Sequence, residues 1–77
     1  MQLDIITPDQ NLFSGEAKSV VAPGTDGEIG ILDNHAPLIS SLKKGAVRVA
    51  SSEGEKTFDV NGGVLEVLNN KVIILAE

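Results

Sequence analysis

At 77 residues, with eleven acidic against six basic side chains and a net charge of −5, the sequence describes one small acidic domain spanning residues 1–77. Its charge opposes binding to nucleic-acid phosphates, and two Phe without Trp or Tyr leave little on which bases could stack, so a nucleic-acid partner is excluded. No cysteine is present for a disulfide or a thiolate metal site. No apolar run approaches the ~20 residues of a membrane helix, and no basic and apolar signal segment opens the chain. A domain this small buries only about 60% of the surface its unfolded chain exposes, so added stability from a partner is expected.

The dominant pattern has period two, broken by Gly, Asn, Asp and Pro at intervals that suit an all-β sandwich or barrel. Met1–Thr7 alternates Leu3 and Ile5 against Gln2 and Asp4 and stops at Pro8–Asp9. A short strand over Leu12–Gly15 and a third over Glu16–Ala22 follow, the latter ending at Pro23–Gly24. Glu28–Leu32 is a short strand between Asp26–Gly27 and Asp33–Asn34, whose residues tolerate positive φ. Gly24, Gly30, Asn34, Gly62 and Gly63 are expected to form turns.

Ala36–Lys44 is ambiguous, because Leu38, Ile39 and Leu42 have helical spacing, Pro37 suits a first helical position and Gly45 suits a stop. Ala46–Ala50 turns through Ser51–Glu55 into Lys56–Val60, with Val47, Val49, Phe58 and Val60 facing the core. Val64–Leu68 points Leu65 and Val67 inward and Glu66 outward. Lys71–Ala76 contains the unbroken apolar run Val72–Leu75, as a strand covered on both sides would. Ile6, Val20, Val64 and Leu68 fall on nominally outward positions, a surplus that suits a second sheet or a partner surface.

Catalytic chemistry finds little support. His35 beside Asp33 could accept a phosphoryl group or act as a base, yet no second catalytic group accompanies it, and a loop imidazole bound to backbone or partner is the better reading. Asp26, Glu28 and Asp33 match no calcium-loop spacing, so no metal is expected. Thr25–Asp26–Gly27 and Asn61–Gly62–Gly63 lead into no helix that could receive a phosphate, and no cofactor is expected. Lys43–Lys44 lacks the flanking Met of a biotin- or lipoate-carrying hairpin. What remains is Gly27–Pro37, a rigid edge presenting Glu28, His35 and either Ile31 or Leu32.

Read from Gly27, the stretch Glu28-Ile29-Gly30-Ile31-Leu32-Asp33-Asn34-His35-Ala36-Pro37-Leu38 resembles the G-E-L-G-I-x-P-G-H-A-P-L motif of F-type ATP synthase epsilon subunits. Leu12-Phe13-Ser14-Gly15-Glu16, Val21-Ala22-Pro23-Gly24-Thr25-Asp26-Gly27, Lys44-Gly45-Ala46-Val47-Arg48-Val49, Asn61-Gly62-Gly63-Val64-Leu65-Glu66-Val67 and Asn70-Lys71-Val72-Ile73-Ile74-Leu75-Ala76 resemble further family motifs, in order and in register. Asp33-Asn34 replaces the usual Pro-Gly, and Asn61 replaces a serine.

The resemblance implies a flattened sandwich of two five-stranded sheets, with Ala36–Lys44 a strand. It also implies a non-catalytic central-stalk (rotor) subunit in the F1 sector, peripheral on the cytoplasmic face of the inner membrane. Such a part binds the gamma subunit and the ring of c subunits and couples proton flow to ATP synthesis. By position, Gly27, Glu28 and Ile29 are expected to contact the c ring, and His35, Ala36 and Pro37 the gamma subunit. Most family members continue past Ala76 into an inhibitory helical hairpin; these residues include none.

Overall fold

Side chains that alternate in and out along each segment build nine strands and no helix: β1 Gln2–Ile6, β2 Asn11–Glu16, β3 Ser19–Gly24, β4 Gly27–Leu32, β5 Leu38–Leu42, β6 Gly45–Ser51, β7 Gly54–Val60, β8 Gly63–Leu68 and β9 Lys71–Ala76. The computed structural model describes all 77 residues. One sheet has the order β2-β1-β9-β8-β5, in which only β1 and β9 run parallel. The second has β3 at its heart, paired with β4 on one side and β6 on the other, with β7 beyond β6. The all-β sandwich expected from the sequence is present, its layers holding five and four strands.

A single pair, Gly24 with Leu42, joins the sheets where β3 leaves β6 and meets β5. On the open side Phe13 of β2 and Phe58 of β7 meet edge to face, with centroids 5.9 Å apart, and nearly close the structure into a barrel. Between the layers lie Leu3, Ile5, Leu65, Val67, Val72 and Ile74 from one sheet and Val20, Ile31, Val47, Val49 and Val60 from the other. No buried side-chain polar atom lacks a partner.

Ala36–Lys44 contains strand β5, as the family resemblance implied, and its apparent helical spacing arises because both faces carry aliphatic groups: Leu42 is buried, whereas Ile39 is 73% exposed. Other expectations change. Val20 is fully buried rather than outward, because Ala17–Lys18 interrupts the chain and β3 then starts in the opposite phase. Val72–Leu75 is covered on one side only, with Val72 and Ile74 inward and Leu75 52% exposed. Gly30 forms no turn; it lies inside β4 opposite Val21.

Among the other glycines and Asn expected in turns, Asn34 (φ 63°), Gly62 (φ 130°) and Gly63 (φ 142°) adopt positive φ. Gly24 closes the β3–β4 hairpin opposite Gly27, at a point too tight for a Cβ, which would come within 2.6 Å of the Gly27 carbonyl oxygen. Gly63 and Gly30 therefore make a diagnostic pair. A Cβ on Gly63 would collide with the Leu75 carbonyl oxygen, while one on Gly30 would meet nothing within 4 Å. Gly63→Ala is expected to destabilise the domain by about 2 kcal/mol or more, and Gly30→Ala to change stability by less than about 1 kcal/mol. Urea unfolding of the two variants checks both values.

Candidate functional site

The residues singled out by the sequence occupy the two ends of β4, an edge strand bonded only to β3. At its start Gly27 and Glu28 are exposed and Ile29 is half-buried against the core. The hairpin tip Thr25–Asp26 is held from below, because the Thr25 N–H donates to the Ser41 carbonyl at 3.1 Å and the Lys43 N–H to the Pro23 carbonyl at 2.8 Å. Glu28 reaches the Arg48 guanidinium on β6 at 3.5 Å, with both side chains more than half exposed. A solvated pair of that length is worth at most about 1 kcal/mol and leaves the carboxylate available to a partner.

At the far end, beyond Leu32, His35 is half-buried while Ala36 and Pro37 are exposed. The ends are separated by the length of β4, roughly 17 Å at a rise of ~3.3 Å per residue. Glu28 and His35 are thus not parts of one site. Nor do Asp33 and His35 form a dyad: His35 Nδ1 lies 2.7 Å from the Ala36 carbonyl oxygen, and the Asp33 carboxylate accepts a 2.6 Å bond from the Met1 α-ammonium. No three His, Cys, Asp or Glu side chains converge as a metal site would require.

The loop after β4 is fastened at several points. The Asn34 N–H donates to Asn70 Oδ1 at 2.8 Å, and the His35 N–H to the Leu32 carbonyl at 3.2 Å. Asn70 sits in the β8–β9 turn at φ 60°, and its own carbonyl accepts from the Gln2 N–H at 3.2 Å. Neither the Met1 ammonium nor the Asn70 amide was legible as a loop anchor, since both depend on which chain ends and turns the sheet brings together. Of the exposed apolar residues Ile31 or Leu32, the structure buries Ile31 and leaves Leu32 66% exposed.

An apolar surface continues from Pro37. The outward face of the five-stranded sheet runs through the rows Ser41, Val64, Leu75, Ile6 and, one step along, Ile39, Glu66, Ile73, Asp4. Five of the six large exposed apolar side chains, Ile6, Ile39, Val64, Leu68 and Leu75, lie on this face. Pro37, Ile39 and Leu68 line a shallow depression there with Glu66 on its rim. The sequence signal that could have found Ile39 and Leu75 is the register: both stand two residues from outward neighbours in strands whose inward positions are already filled.

These features belong to a known class of domain. The chain matches the family described as the ATP synthase, Delta/Epsilon chain, beta-sandwich domain over residues 1–77, and it belongs to that family. Its similar relatives include ATP synthase epsilon chains. That of Chlorobium limicola is 49% identical over 77 residues, covering 99% of this chain and 88% of the relative. That of Desulforamulus reducens is 50% identical over 78 residues, and here the chain spans 99% of itself but 58% of the relative. The fold also matches a chain of the Euglena gracilis mitochondrial ATP synthase OSCP/F1/c-ring structure, with a TM-score of 0.88 at 22% identity over 96% of this chain and 48% of that one. A chain of the Tetrahymena thermophila mitochondrial ATP synthase central stalk/c-ring gives 0.82 at 15% identity, over 97% and 61%.

The Met1 ammonium has a measurable signature. Its hydrogen bond to Asp33, foremost, and the one to Glu16 raise its pKa above 8.0 against the opposing effect of burial. Folding therefore tightens the hold on this proton. The resulting stability is complete below about pH 8, where the amine is charged in folded and unfolded chains alike, and is lost as pH rises through the elevated folded value. Urea midpoints measured between pH 7 and 10 are expected to fall more steeply for this chain than for the same chain with an acetylated α-amine.

Proposed function

We propose that this domain acts as a non-catalytic part of the central stalk of an F-type ATP synthase, joining the gamma subunit to the c ring so that proton flow drives ATP synthesis. The apolar outward face of the five-stranded sheet carries the reading: five large aliphatic side chains on one face of a small domain are more than solvent exposure alone favours. Pro37 at its margin links that face to His35 and Ala36, so a gamma subunit seated on Ile39 and Leu68 would also cover the loop. Glu28, at the other end of β4, is free to meet the polar loops of a ring below. The family membership and the ATP synthase assemblies to which the structural relatives belong support the same reading, and a peripheral position at the membrane follows from it.

The mechanical requirement is a stiff body with contacts far apart. Cross-laddered strands around a dry core resist shear, so torque entering at one surface leaves at the other without being absorbed. Nothing in the role requires a bond to be made or broken here.

Ile39→Asp is expected to leave the melting temperature of the isolated chain nearly unchanged, because the side chain is solvated, and to weaken gamma binding about 30-fold or more, as loss of an interface anchor does. Calorimetric titration with gamma reads the affinity; an unchanged value removes this face from the contact. Glu28→Lys is expected to reduce ATP-driven proton pumping by the reassembled enzyme while gamma affinity stays the same. Normal pumping would dismiss the ring contact.

A further inference from the structure

Met1 is held as firmly by its amine as by its side chain. The residue is 4% exposed and its side chain belongs to the core. The α-ammonium donates to the Ala17 carbonyl at 2.9 Å, to Asp33 Oδ1 at 2.6 Å and to Glu16 Oε2 at 3.2 Å, which occupies all three of its N–H bonds. These partners come from the end of β2, the residue after it and the loop after β4, segments that are 15 to 32 residues away in sequence. The nitrogen is the one cation bridging the two carboxylates: Glu16 and Asp33 are each mostly exposed, and no other ion pair involves them.

An acyl group on this nitrogen would change the site in three ways. It removes the positive charge, leaves one N–H of three, and adds a carbonyl oxygen that must sit beside two carboxylates. Charge-assisted bonds are about twice as strong as neutral ones, so the Asp33 contact is the one most weakened. The Asp33–Pro37 loop would then keep only its bonds to Asn70 and Leu32.

We propose that, in a chain whose first residue is Met1, the free α-amine is a modification-sensitive tether, and that Nα-acylation, whether by a formyl or an acetyl group, releases the Asp33–Pro37 loop while leaving the sandwich folded. The effect belongs to the isolated chain and does not rest on the contact assigned to His35. An unmodified amine is thereby a condition for a rigid loop.

Chemical synthesis supplies the chain with a free amine and with an Nα-formyl group, differing at no lysine. Hydrogen exchange followed by NMR should show the strand amides of β1, β8 and β9 equally protected in both. The Asn34 and His35 amides should exchange about tenfold faster in the formylated chain, the effect of losing one charge-assisted hydrogen bond. Equal exchange at Asn34 and His35 overturns the proposal. Asp33→Asn with a free amine reads the same tether without a cap: faster exchange at those two amides is required, and unchanged exchange overturns the proposal even if the formylated chain does not fold. In the Asp33→Asn background formylation should add little, and a full tenfold effect there would show that the cap acts elsewhere.

Discussion

Both sheets are tied together at the corner formed by Pro23 and Gly24. β3 pairs with β6 through Ser19–Val21 and then, one turn of pleat later, with β5 through the lone pair Gly24–Leu42. Pro23, which brings no N–H, stands where one partner is exchanged for the next, a place where a ladder can spare a donor. Space is the stricter constraint. Gly24 has the Gly27 carbonyl oxygen and the Ile29 side chain where a Cβ would be, and Gly45 lies so close to the Pro23 ring that a Cβ there would come within 2.9 Å of it. The hairpin bearing Glu28 hangs from this corner, so its position is inherited from close packing.

From that corner the distribution of surfaces follows. β4 is left as an edge strand of the smaller sheet, and its two ends open toward opposite ends of the sandwich. One end offers a carboxylate loosely paired with Arg48, suited to electrostatic contact that can be made and released. The other leads through His35 and Pro37 to an aliphatic face suited to a lasting one. The proposed rotor role needs this combination: a permanent seat on one neighbour and an engaging surface toward another, with a rigid body between them.

Much of the fold was legible because each strand's inward positions are aliphatic and each break carries a residue with a specific backbone role. Leu3, Ile5, Leu65 and Val67 announced their faces, and Asn34, Gly62 and Gly63 their positive φ. Where the reading failed, two patterns coincided or information from outside the segment decided. Leu38, Ile39 and Leu42 satisfy helical spacing and also fill both faces of a strand; periodicity leaves both open, the family resemblance implies the strand, and pairing with β8 shows it. Val20 lies one residue out of the phase that the alternation predicts, and Gly30, where composition predicts a turn, is a strand residue with open space beside it. The loop's anchors at Met1 and Asn70 could not be seen at all, since they arise where β1, β8 and β9 bring distant ends together.

In the proposed function, one face and one strand end serve two different neighbours. Hydrogen-exchange footprinting of the chain in three states, free, bound to gamma, and in the complete rotor with the c ring, tests it directly. Added protection on binding gamma should be confined to His35, Ile39 and the outward strands β5, β8 and β9, with Glu28 and Ile29 slowed only when the ring is present. Protection of Glu28 and Ile29 by gamma alone, or none along β5 and β8, would contradict that division of contacts.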